Sequence, residues 1–210
     1  GFYADALAVA GAKDRIPAPE LIGGRVYNFW QDAAHVRGIW RTTTIADYAQ
    51  PAPAWKTVLD LDALAASEHK NWVWQGADCD SPSRRRCLIS LSEGGEDAST
   101  VREFDLASGQ FVADGFSLPR AKQTAAWADE NTLLVARPWE PADVTASGYP
   151  YIVKTLKRGQ PLAAAVELTR GTPADVDVSP GELHDGQGDR VITVRRSISF
   201  FQGRQFIVTP

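Results

Sequence analysis

Apolar and polar residues alternate in short runs along most of this chain, interrupted by turn-forming residues. The stretch Val26 to Thr44, VYNFWQDAAHVRGIWRTTT, shows the unit: an aromatic run, a polar turn of about seven residues, and a second aromatic run. Two-residue alternation in β-branched and aromatic residues is the pattern of a half-buried strand. It predicts strands at 25–30, 38–44, 57–60, 72–77, 87–92, 100–106, 124–128 and 133–137. Further strands fall at 151–156, 165–169, 175–178, 190–194 and 205–209. Glu93-Gly94-Gly95, Ser108-Gly109, Asp129-Glu130-Asn131, Arg158-Gly159 and Asp185-Gly186-Gln187-Gly188 supply tight turns between them.

Helical spacing is confined to two places. Phe2, Ala6, Val9 and Ala10 predict a short helix over 2–13 that ends at Gly11 or soon after, followed by the Pro- and Gly-rich connector RIPAPELIGG. Residues 61–69, LDALAASEH, predict a two-turn helix capped by Asp60 or Asp62. Many short strands with regular turns and few helices define an antiparallel all-β protein.

A repeat narrows the architecture. FDLASGQFV, from Phe104, and KTLKRGQPL, from Lys154, each place a Gly-Gln turn between a strand and a short apolar strand. A period of about 40–50 residues with roughly four strands per unit is the mark of propeller blades. Residues 25–210 hold about four such units, so the fold expected is a partial β-propeller of about four antiparallel four-stranded blades. A helix-and-linker segment, 1–24, precedes it. The chain starts at Gly1, contains no Met and stops just after a strand, and is read as a piece of a longer protein.

Charge and composition exclude some partners. A net charge of −4 argues against nucleic acid, which requires a basic surface. No apolar run approaches the roughly 18–20 residues that span a bilayer, so no membrane partner is expected. Cys79 and Cys87 flank the loop DSPSRRR. They are either a disulfide closing a hairpin or two reduced thiols at facing strand ends, and the reduced reading is preferred. With no His near them a zinc site is not expected, and no metal or cofactor is.

Catalytic chemistry is sparse. No Ser lies in a G-x-S-x-G turn, so the last His, His184, has no such Ser before it and the chain carries no triad of the α/β-hydrolase type. His35, in a hairpin turn, and His69, at a helix end, are read as surface residues. The acidic run from His184 to Asp189 has too few oxygen ligands for a calcium loop and is read as a β-turn. Arg84-Arg85-Arg86 is read as a solvated hairpin tip.

The aromatic pattern of Val26–Thr44, together with NWVWQGADC, CLISLSEGGEDASTVREFDL and SGYPYIVKTLKRG, resembles the propeller of prolyl oligopeptidase-family serine peptidases, bacterial members in particular. The resemblance implies a seven-bladed ring, of which about half is present here. It also implies a partner in the same polypeptide, an α/β-hydrolase domain C-terminal to residue 210. That domain would carry a Ser–Asp–His triad and cleave oligopeptides, typically after proline. The propeller would gate the substrate, the helix at 1–24 would pack on the hydrolase, and the fragment would be inactive alone. In this family an apolar–Arg pair ending a propeller strand holds a substrate carbonyl. Arg195, in Thr193-Val194-Arg195-Arg196, stands at the matching place, with Arg196 pointing the other way as its control. Five residues before Trp127 the family places an aromatic substrate contact; this chain has Lys122, which implies a more polar wall. The competing reading is a non-catalytic propeller scaffold for proteins or sugars, although Trp72, Trp74 and Trp127 lie in apolar strand contexts expected to be core. The compartment is left between cytoplasm and periplasm, with the cytoplasm preferred.

Overall fold

The structure is a computed structural model that describes residues 1–10, 17–185 and 189–208, with backbone alone for Ala10 and His184. The ends of the predicted helix at 2–13 and of the last strand, and most of the turn at 185–188, fall outside the described residues. The chain divides into two compact units, 1–70 and 71–210.

The first unit begins with helix α1 (Phe2–Ala10) and holds an antiparallel sheet in chain order: β1 (Glu20–Ile22), β2 (Arg25–Trp30), β3 (Ile39–Thr44) and β4 (Lys56–Asp60). Strand β1 lies inside the segment read as a connector; its Leu21 and Ile22 pair with Val26 and Arg25 around Gly23-Gly24. Trp40 and Tyr27 are buried and tilt against each other at 5.2 Å. Two helices follow strands directly, α2 (Ile45–Tyr48) after β3 and α3 (Leu61–Glu68) after β4. The Asp60 carboxylate accepts from Ala63 N at 2.9 Å, and His69 closes α3 in the left-handed region at φ 54°. Asp62 is not the cap: it accepts from Arg37 N and Gly38 N, tying α3 to the β2–β3 loop.

The second unit contains three sheets. The first joins β5 (Trp72–Cys79), β6 (Arg86–Glu93), β7 (Ser99–Asp105) and β8 (Gln110–Phe111), with β9 (Ser117–Ala121) also on β7. The second orders β10 (Thr124–Asp129), β11 (Thr132–Ala136), β12 (Ile152–Lys157) and β13 (Val166–Arg170). The third is β14 (Asp177–His184), β15 (Arg190–Ser197) and β16 (Gly203–Ile207). His184 therefore ends a strand rather than sitting in a turn. The apolar strand expected after Gly159-Gln160 is instead a 3₁₀ turn at Leu162–Ala164.

Alternation along β11 explains how the sheets stack. Leu133 and Val135 join Leu88, Val101, Phe116, Leu118 and Trp127, whereas Leu134 and Ala136 join Val153, Val178 and Val194. One sheet thus buries both faces, one against each neighbour, which is why Leu133 to Ala136, LLVA, is an unbroken apolar run. This face-to-face succession of antiparallel sheets is the packing of consecutive blades in a partial β-propeller.

Two expectations about side chains need correction. Cys79 and Cys87 face each other in the β5–β6 register and form a disulfide, not a reduced pair. The arginine run is only partly solvated: Arg85 is exposed, Arg84 and Arg86 are half-buried, and all three are anchored. Arg84 Nη1 donates to Cys79 O, Arg85 Nε to Asp105, and Arg86 Nη1 to Glu103 at 2.9 Å. Glu103 is fully buried and also accepts from Arg158 Nη1 and from Phe116 N, both at 2.8 Å, which pins the first sheet of this unit to the second. Trp72 and Trp127 are core as expected, and Trp127 Nε1 donates to Asp78 O; Trp74 is only half-buried.

Candidate substrate-contact site

The strand β15 turns its side chains alternately toward and away from the neighbouring sheet. Val194 is buried in the core that the last two sheets share, so Arg195 lies on the opposite face, between Ser179 of β14 and Gln205 of β16. Arg195 is exposed, and among the described residues its guanidinium has no hydrogen-bond or ion-pair partner. It passes over Gly203, where a Cβ would lie 3.3 Å from Nε, so the absent side chain leaves room for the cation.

Arg196 does something different. Its Nε donates at 2.7 Å to Asp175, which is buried and also accepts from Thr172 N at 2.6 Å. Burial pushes the Asp175 carboxyl up, but the Arg196 and Thr172 bonds outweigh it and hold it below the usual carboxylate range. Gly171 is required there, since a Cβ would come within 2.5 Å of Asp175 Oδ2. One arginine is thus a structural anchor, and its neighbour is an exposed guanidinium fork suited to an acceptor oxygen. The β15–β16 turn adds two features missed in the sequence, the rings of Phe200 and Phe201, both about nine-tenths exposed and edge-to-face at 5.0 Å. The signal was the apolar pair in SISFFQG, between strands where turn residues are expected.

Lys122 sits in the turn between β9 and β10. Its Nζ is 3.4 Å from Asp97 Oδ2 and 4.5 Å from the centre of the Tyr149 ring, whose hydroxyl donates to Asp97. Such an exposed pair holds a side chain weakly. Beside it, Gln123 donates to Ser99 O and Pro119 O and accepts from the buried Arg137. No contact joins Lys122 to Arg195 among the described residues.

The other singled-out residues do not gather into a reaction centre. His35 Nδ1 lies 2.9 Å from Asp32 Oδ1, and Asp32, held chiefly by the Trp30 indole N–H, is well below the usual carboxylate range. An open cavity of about 580 Å³ is lined by Asp80, Arg85, Arg86, Asp114 and Arg158, but its arginines are already paired. Among the described residues no group of three His, Cys, Asp or Glu could hold a metal ion, and no helix is long and apolar enough to cross a membrane.

Residues 3–177 match the family model described as prolyl oligopeptidase, N-terminal beta-propeller domain. The chain is 50% identical over 202 residues to uncharacterized peptidase y4nA of Sinorhizobium fredii, covering 95% of this chain and 28% of that protein. It is 29% identical to uncharacterized peptidase RP174 of Rickettsia prowazekii, covering 88% of this chain and 27% of the relative. A post-proline cleaving enzyme from Rickettsia typhi matches with a TM-score of 0.85 at 27% identity, over 95% of this chain and 30% of the enzyme. Oligopeptidase B from Leishmania major shares the fold, with a TM-score of 0.62 at 15% identity over 92% of this chain and 27% of that one. The chain therefore spans under a third of the length of each of these proteins. It belongs to the prolyl oligopeptidase family, within the N-terminal β-propeller domain.

Proposed function

We propose that this chain is the substrate-gating propeller portion of a serine peptidase that hydrolyses oligopeptides after proline. The catalytic triad then lies in an α/β-hydrolase domain outside these residues, and residues 1–210 alone are inactive. The observation that carries this reading is the match of 95% of the chain, at a TM-score of 0.85, to a post-proline cleaving enzyme. Relatives named as peptidases favour it over a non-catalytic scaffold.

In this reading residues 25–210 are the propeller portion, and 1–24 dock on the hydrolase domain. The exposed Phe2, Tyr3, Leu7 and Val9 of α1 supply apolar area for that contact. Leu183, Val191 and Ile207 are exposed apolar residues of the last sheet and supply area for a neighbouring blade. Arg195 donates to a substrate carbonyl, and Lys122 gives the cavity a polar contact. The Cys79–Cys87 bond supports the periplasm over the cytoplasm, because disulfides persist in oxidising compartments.

The test is Arg195→Ala in the full-length protein. KM for a proline-containing peptide should rise about tenfold, the value of one charge-assisted hydrogen bond, with the thermal midpoint unchanged. Arg196→Ala should instead lower the midpoint. An unchanged KM and kcat for Arg195→Ala removes that residue from the site.

A further inference from the structure

A second arginine, in the first unit, is held more rigidly than Arg195. Arg41 lies between two indoles, its guanidinium carbon 4.2 Å from the ring centre of Trp30 on one side and 4.2 Å from that of Trp55 on the other. Its Nε donates at 2.9 Å to Oδ1 of Asn28, a buried side chain directly opposite on β2. Each wall is braced from outside. Trp30 Nε1 donates to Asp32 Oδ2 at 2.8 Å, and Tyr48 meets Trp55 edge-on at 6.0 Å. The β3–β4 register shifts between Trp40 and Arg41, the kind of bulge that re-aims a side chain.

This arrangement spends one N–H and both faces of the guanidinium and leaves its outer edge free. Among the described residues neither Nη1 nor Nη2 has an acceptor. Asp32, the near acid, is not within ion-pair distance. Its oxygens are taken by Trp30, by the backbone N–H groups of Ala34 and His35, and by His35 Nδ1. Partial burial pulls the Arg41 pKa below its ordinary value, with Asp32 opposing, so the cation has lost water without gaining a paired anion. A desolvated fork with fixed orientation matches a planar two-oxygen acceptor.

We propose that the Trp30–Arg41–Trp55 stack binds the carboxylate of an oligopeptide, with the two Nη groups donating to its two oxygens and the indoles flanking the adjoining residue. The choice of an oligopeptide rests on the peptidase reading above; the choice of a carboxylate rests on the stack itself. The carboxylate is either the C-terminus of the peptide or an acidic side chain, and the test separates the two.

Three proline-free peptides are titrated calorimetrically into the full-length protein: N-acetyl-tetra-alanine as the free acid, the same peptide as the C-terminal amide, and an amide with one Ala replaced by Glu. The free acid or the Glu peptide should bind about tenfold or more tightly than the all-Ala amide, and whichever does so identifies the source of the carboxylate. Arg41→Met should erase that preference and leave the amide unchanged. Arg41→Lys, which keeps charge and length but not the fork, should weaken it several-fold. Equal binding of all three peptides by the wild type, a comparison that needs no variant, overturns the proposal. So does a preference that survives in both variants. Cleavage of an amidated proline peptide, which lacks the carboxylate, tests the peptidase reading separately.

Discussion

Replacing Glu103 with Gln should unlock the join between the first two sheets of the second unit. Glu103 has no exposed side-chain surface and accepts from Arg86 Nη1, Arg158 Nη1 and Phe116 N. The amide keeps the shape and one acceptor oxygen but presents an N–H where an arginine donates. Hydrogen bonds to charged groups contribute about 1.5–3 kcal/mol each, and breaking a buried pair costs about 3–5 kcal/mol when the orphaned charge stays dry. The Arg86 and Arg158 side chains are 31% and 27% exposed, so both reach water once released. The expected loss is therefore about 2–4 kcal/mol. Burial pushes the Glu103 carboxyl up, but Arg158, the Phe116 N–H and Arg86 outweigh it, so its folded pKa lies below the ordinary value. Its stabilisation is then fully present above the ordinary carboxylate range and fades as pH falls through that range toward the folded pKa. Urea unfolding followed by tryptophan fluorescence should give the full gap between wild type and Glu103→Gln at pH 7, narrowing below about pH 4. A gap under about 0.5 kcal/mol, or one that stays constant from neutral to acid, refutes the assignment of Glu103 as an ionised cross-sheet anchor.

Asp175→Asn should cost about 1–3 kcal/mol by removing the Arg196 pair, with the same loss of effect in acid, measured by the same unfolding assay. Asp60→Ala should cost about 1 kcal/mol through the lost cap of α3. Asp62→Ala should leave that cap intact and speed backbone amide exchange at Arg37 and Gly38. Gly38→Ala should lower the thermal midpoint by the equivalent of about 1–3 kcal/mol, since φ is +105° and the new Cβ would fall 2.4 Å from the Phe29 ring.

What was legible in the sequence follows from locality. Strand β2 and the hairpins around Gly94-Gly95 and Asn131 were readable because alternation and turn residues lie side by side in the chain. The strands that escaped were masked by local chemistry. Glu20–Ile22 is embedded among Pro and Gly, and Ser117–Ala121 contains Pro119, which argues against a strand unless it lies at an edge. Helix α2 spans four residues and depends on the Thr44 cap, too little for a period to emerge. Side-chain roles fixed by distant partners were not legible. Arg86 looked solvated because its carboxylates lie 17 and 19 residues downstream. The opposite facing of Arg195 and Arg196 needed only strand parity. The Trp–Arg–Trp stack needed two paired strands and the residue just before a third, which no single stretch of sequence reveals.

The central claim, that this chain gates a peptidase whose chemistry lies outside it, is tested most directly by hydrolysis of an internally quenched, proline-containing oligopeptide. The full-length protein and residues 1–210 are assayed side by side, with product masses determined. The account predicts cleavage after proline by the full-length protein and none by the shorter chain. Turnover by residues 1–210 alone, or no peptide cleavage by the full-length protein, would contradict it.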